Sequence, residues 1–146
     1  MKTISITLFF LLSIRLLCRD FYYDEIYSLV HYILVPIRQT VFEYKNLNNH
    51  FFFSAICNGY MKLFGQNLHW LMDRPYVIRL PQLIPVGITF YYLHKISVKF
   101  FNRQVATYSI VILCTTLPYY YYTTQIRGYN LSIMFMTILI YKVWSK

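Results

Sequence analysis

Negative charge is nearly missing from this chain. Five of its 146 residues are Asp or Glu, against fourteen Lys and Arg, and charged residues of both signs make up only 13%. A soluble domain of average composition carries about 25% charged residues. Cysteine is also scarce. Cys18, Cys57 and Cys114 lie far apart, with neither CxxC nor zinc-type spacing, which leaves them as small apolar packing residues. The four glycines form no phosphate-cradling loop, and no nucleophile elbow is present. Cys18 follows Leu17 rather than a small residue, so it is no lipidation site. The same lack of a small-residue cleavage motif marks the first apolar run as a retained anchor.

What the chain has in abundance is apolar and aromatic surface, 58% hydrophobic residues with 16 Tyr and 12 Phe. This composition points to a membrane protein with much of its surface at membrane–water interfaces. The formal charge of +9 is scattered and carries no nucleic-acid motif, which argues against a nucleic-acid partner.

Read in order, the apolar runs predict an all-α integral membrane protein. It has about four transmembrane helices, near residues 3–19, 79–97, 104–122 and 128–144, and an external loop over about 20–78. Within that loop, Ile26, Leu29, Val30, Ile33, Leu34 and Ile37 recur at helical spacing up to Pro36, predicting an amphipathic surface helix. A second is predicted from Phe53, Ile56, Cys57, Tyr60, Leu63 and Phe64, after a polar loop over 43–49 with an Asn cap and before a stop at Gly65. With the N-terminus inside, the inner segments hold Lys2, Lys95, Lys99, Arg103, Lys142 and Lys146 and no acidic residue. That distribution obeys the positive-inside rule and places both termini in the cytoplasm. Tyr119–Tyr122 reads as an interfacial aromatic belt, and Arg74 and Arg79 as interfacial anchors.

Three of the five acidic residues fall in one stretch, Asp20 to Glu25, directly after the first apolar run. Asp24-Glu25 alone reads as a solvated helix N-terminus, where the helix dipole favours acids, or as a base held at the membrane surface. Three further segments follow in order. They are Asn49-His50-Phe51-Phe52, Arg79-Leu80-Pro81, and Tyr122-Thr123-Thr124-Gln125-Ile126-Arg127-Gly128-Tyr129.

Together with Asp24-Glu25-x-Tyr27-Ser28, these segments resemble the N-terminal part of the GT-C membrane glycosyltransferases over nearly the whole chain. The branch it resembles is family 39, which holds dolichyl-phosphate-mannose–protein mannosyltransferases and bacterial polyprenyl-phosphate-sugar transferases. Gln125 and Ile126 stand where bacterial members have Glu and Ala, and His50-Phe51-Phe52 where the family has His-Pro-Pro or His-Pro-Leu. The resemblance implies transfer of a sugar from a lipid-linked donor to a lipid, glycan or protein acceptor on the outer face of a membrane. It implies Asp24 as the general base, with Glu25 as its neighbour or as an acceptor or metal contact. Arg127 is implied as the ligand of the donor phosphate, against the plain reading of a lipid-headgroup anchor, and His50 reads equally as helix-start polarity or as an acceptor or metal contact. It leaves a divalent metal open as cofactor, and points by analogy to a bacterial inner membrane. Family members run through more spans, so the chain is expected to be a fragment or truncated product. The alternative expectation is a non-catalytic membrane protein, a remnant of the fold that binds lipid or a partner.

Overall fold

The computed structural model describes residues 2–43, 50–64 and 67–144, with side chains over 5–43, 50–63 and 67–144. The polar loop and its Asn cap over 44–49, and the stop at Gly65, lie outside the described residues. Among those described, every regular element is helical.

The first apolar run forms α1 (Lys2–Leu17). A short α2 (Tyr23–Ser28) follows and widens into a π turn over Leu29–Ile33. Pro36 then caps α3 (Ile37–Phe42). The π turn shifts the helical register, so Leu29, Tyr32 and Ile33 are buried while Val30 and Ile37 face outward. The turn leaves backbone carbonyls without helical partners. Asn58, on α4 (Phe51–Phe64), donates from Nδ2 to Ile33 O at 2.8 Å and to Val35 O at 2.7 Å. Thr40 completes the repair by donating to Tyr32 O at 2.7 Å. A buried polar face of Ser54 and Asn58 therefore decides how α4 sits, with Phe53, Cys57 and Met61 beside it. Ile56 and Leu63, expected on the buried face, are exposed.

Two short helices, α5 (Leu68–Met72) and α6 (Tyr76–Arg79), lead through a 3-10 turn over Leu80–Gln82 into α7 (Leu83–Phe100). A tight connection at Phe101-Asn102 opens α8 (Arg103–Thr115), whose Val105 N–H is capped by Asn102. The chain then breaks at Thr116 and resumes as α9 (Leu117–Thr124), followed by α10 (Tyr129–Trp144). Pro118 causes the break. It has no N–H to continue the α8 ladder, and Thr115 and Thr116 hydroxyls cap the last carbonyls instead.

The long helices form a bundle, with α7 between α8 and α10 and α1 against α8 and α9. Asn130 meets Gln82, Tyr92 meets Tyr141 edge to face, and Lys99 reaches Trp144, so α7 and α10 run in the same direction. Phe9, Val86, Phe90, Ile110, Cys114 and Tyr119 fill the bundle core, with Phe9 edge-on to Phe90 at 5.4 Å. A second core lies at one end. It gathers Phe21, Leu29, Ile33, Phe53, Cys57, Met61, Leu71, Ile78 and Ile126 from the short helices and loops. Burial pushes the Cys57 thiol up to about 12 and the Cys114 thiol to about 11, as packing cysteines behave.

This architecture corrects the expected topology. Among the described residues no helix is long and apolar enough to cross a membrane, which overturns the four-span integral membrane fold and the multi-pass inner-membrane location. The runs at 3–19 and 128–144 yield helices of 16 residues, about 24 Å at 1.5 Å per residue against a hydrocarbon core of about 30 Å. The run at 104–122 is cut in two at Thr116, and the helix over 83–100 carries Lys95 and Lys99 in its last two turns. Nor do the four tyrosines form a belt. Tyr119 is buried in the bundle core, while Tyr122 turns outward.

Candidate functional site

Adjacent residues on a helix point about 100° apart, and that angle separates Asp24 from Glu25. Glu25 turns inward and is fully buried. Its Oε1 accepts from Arg79 Nε at 3.1 Å and from the Ile126 N–H at 2.8 Å. Its Oε2 accepts from Arg79 Nη2 at 2.6 Å and from the Tyr22 N–H at 2.9 Å. Four donors thus saturate the carboxylate. The bond to Tyr22 also satisfies one of the otherwise unpaired N–H groups at the start of α2.

Arg79 is as deeply buried as its partner. Beyond Glu25, its Nη1 donates to Leu16 O at 3.2 Å and Leu17 O at 3.1 Å, and also to Arg19 O. Its Nη2 donates to Asp20 O at 3.1 Å, and the guanidinium lies 4.8 Å from the Phe21 ring. A cation at the C-terminus of α1 meets the negative end of that helix dipole and its unpaired carbonyls. Arg79 is therefore an internal strut, not the interfacial anchor expected from its place before an apolar run. A single buried ion pair ties the end of α1, the start of α2, α6 and the 125–127 turn together.

Asp24 turns outward, its side chain 48% exposed, and pairs with the Arg127 guanidinium, which is 19% exposed. Arg127 donates from Nη1 to the Tyr129 hydroxyl at 3.3 Å and lies over the Tyr129 ring. Burial works against its charge, but the Tyr129 hydroxyl and the Asp24 carboxylate outweigh it and raise its pKa above the ordinary guanidinium value. The turn bearing Arg127 is held from several sides. Glu25 takes the Ile126 N–H, the Ile126 side chain enters the end core, and Asn130 Nδ2 closes back on Thr123 O at 2.8 Å.

His50 precedes α4, its carbonyl accepting from the Ser54 N–H at 2.8 Å, and its ring meets the Tyr129 ring at 5.0 Å. Burial and then the positive charge of Arg127 lower its pKa, so it is held as a neutral imidazole. His50 packs closely against Gly128. A Cβ there would stand 3.1 Å from His50 Cβ and 3.3 Å from Phe53 Cβ. Asp24, Ser28, His50 and Arg127 line one closely packed depression at the surface. An apolar cavity of about 220 Å³ lies between α4, the α6–α7 turn and α10, lined by Phe53, Ile78, Pro81, Ile84, Pro85 and Leu131.

Among the residues named from sequence, Asp24, His50 and Arg127 come together at this surface, and Glu25 lies behind them with both oxygens occupied. Arg79 and Asn130, which the sequence reading gave no part in the site, position it. A signal for Arg79 was present. Two adjacent acids in an acid-poor chain need separate cationic partners, and Arg79 and Arg127 each open or close an apolar run. Among the described residues no three His, Cys, Asp or Glu side chains form a metal-holding group. A cation already faces Asp24 and His50, so these residues do not fit a divalent metal. Comparisons with protein-family models, curated proteins and solved structures find no match.

Proposed function

We propose that this chain carries the base and phosphate-binding corner of a glycosyltransferase that uses a polyprenyl-phosphate-linked sugar donor. One observation carries the reading. Asp24 and Arg127, 103 residues apart in the chain, meet as an ion pair beside His50, joining segments that resemble one enzyme family. The chemistry needs these two groups together. An acceptor hydroxyl attacks the anomeric carbon and gives its proton to the Asp24 carboxylate. The bond from that carbon to the donor's phosphate oxygen breaks, and its electron pair leaves with the polyprenyl phosphate, whose charge Arg127 neutralises.

The pair as it stands masks both groups. A donor phosphate competes with Asp24 for the guanidinium, and its arrival frees the carboxylate to act as base. Tyr129 keeps Arg127 in place during the exchange. Neutral His50 is positioned to contact the acceptor hydroxyl. The apolar cavity between α4 and α10 suits the first isoprene units of the donor lipid.

The test is transfer of radiolabelled sugar from a polyprenyl-phosphate donor by the protein that contains this chain. Asp24→Asn is expected to lower the rate by about 10²- to 10⁴-fold with donor binding retained. An unchanged rate removes Asp24 as base. Tight donor binding by the unaltered protein without any transfer would point to the non-catalytic, lipid-binding alternative.

A further inference from the structure

The opposite end of the bundle has its own chemistry. The C-termini of α7 and α10 and the N-terminus of α8 meet there, with the Phe100 and Trp144 rings 5.7 Å apart. Lys95, Lys99 and Arg103 lie on this end, and none of the chain's five acidic residues lies on α7, α8 or α10. Each lysine sits against aromatic rings. Lys95 Nζ is 4.6 Å from the Tyr91 ring centroid, and Lys99 Nζ is 5.9 Å from that of Phe100 while donating to Trp144 O at 2.9 Å. Phe101 is 70% exposed and Trp144 64%.

Arg103 marks this end as more than a solvated cap. It opens α8, where a positive side chain meets the positive end of the helix dipole, so its place there costs stability. An external anion at this face would offset that cost.

We infer that this basic, aromatic end docks onto the surface of an anionic phospholipid bilayer. Phe101 and Trp144 enter the headgroup region, and the three cations meet lipid phosphates. Exposed aromatic rings interleaved with Lys and Arg are the side chains that hold proteins at such an interface. A second copy of the chain fits poorly, because it would bring the same cations face to face. Nucleic acid is not favoured, since the cations are interrupted by exposed rings and form no continuous track. The inference does not rest on the sugar-transfer reading, which needs the opposite end of the bundle to reach a lipid-linked donor.

Co-sedimentation with vesicles of phosphatidylcholine containing phosphatidylglycerol tests it. Binding should fall with added salt and be much weaker on phosphatidylcholine alone. Neutralising two cations, Lys95→Gln with Lys99→Gln, should weaken it on the order of 25-fold. Neutralising Arg38, on α3, and Arg74, between α5 and α6, should leave it unchanged. The two tryptophans give a second measurement. Brominated phosphatidylglycerol should quench Trp144 in a Trp70→Phe variant, and should spare Trp70 in a Trp144→Phe variant. Equal binding to both vesicle types, or quenching of Trp70 alone, overturns the inference. So does competition by millimolar inorganic phosphate, which would mark an ion site, or by a short RNA at matched ionic strength.

Discussion

Asp24 and Glu25 are neighbours of the same charge that the helix assigns to different tasks. One reaches solvent in an ion pair with Arg127, and the other is sealed behind it by four hydrogen bonds. His50 supplies the pH dependence at this scale. Its folded-state pKa lies below the ordinary imidazole value of 6.5, so the unfolded chain binds the proton more readily. The His50 contribution to stability is therefore present above about pH 6.5 and is lost as pH falls through the lower folded value. Denaturation midpoints measured from pH 7.5 downward should decrease over that window. His50→Gln should remove part of the slope, and an identical slope in the variant would refute the assignment.

At the scale of elements, the Arg79–Glu25 pair is what lets four short segments share one end of the bundle. Each partner is almost inaccessible to water. Removing one charge leaves the other buried and unpaired, which costs about 3–5 kcal/mol. Glu25→Gln and Arg79→Met should each destabilise the fold by about that much in chemical denaturation. The double variant should lose less than the sum of the two, because the stranded charge is gone. Additive losses would mean that the two side chains act separately. Gly128 has a comparable role between α4 and α10. Gly128→Ala pushes His50 and Phe53 away by a few tenths of an ångström, and should weaken donor binding more than it lowers stability.

For the whole molecule, the apolar content is not gathered into one core. Two clusters are buried, yet Leu8, Leu11, Leu12 and Ile14 on α1, and Phe135, Met136, Leu139 and Val143 on α10, remain exposed. Exposed apolar area on this scale associates with something. The isolated chain is expected to self-associate in water and to become monomeric in mild detergent, as read by sedimentation velocity. A single monomeric species without detergent would contradict this.

Helical content, the two acid-bearing and arginine-bearing segments, and the concentration of cations on α7 and α8 were legible in the residues, since local periodicity and charge spacing suffice to see them. Topology was not. A run of apolar residues looks the same whether it faces lipid, a protein core or solvent, and only the packed structure shows that the helices among the described residues are too short or too polar to cross a bilayer. The break at Thr116 was signalled by Pro118, but the π turn after Ser28 was not, because it depends on Asn58 and Thr40 arriving from elsewhere to satisfy its carbonyls. The site divides in the same way. Asp24, His50 and Arg127 could be named from their segments. That Glu25 is a buried strut, and that Arg79 is its partner across 54 positions, depended on the chain folding back on itself. A charge becomes structural or chemical according to what the tertiary fold places against it.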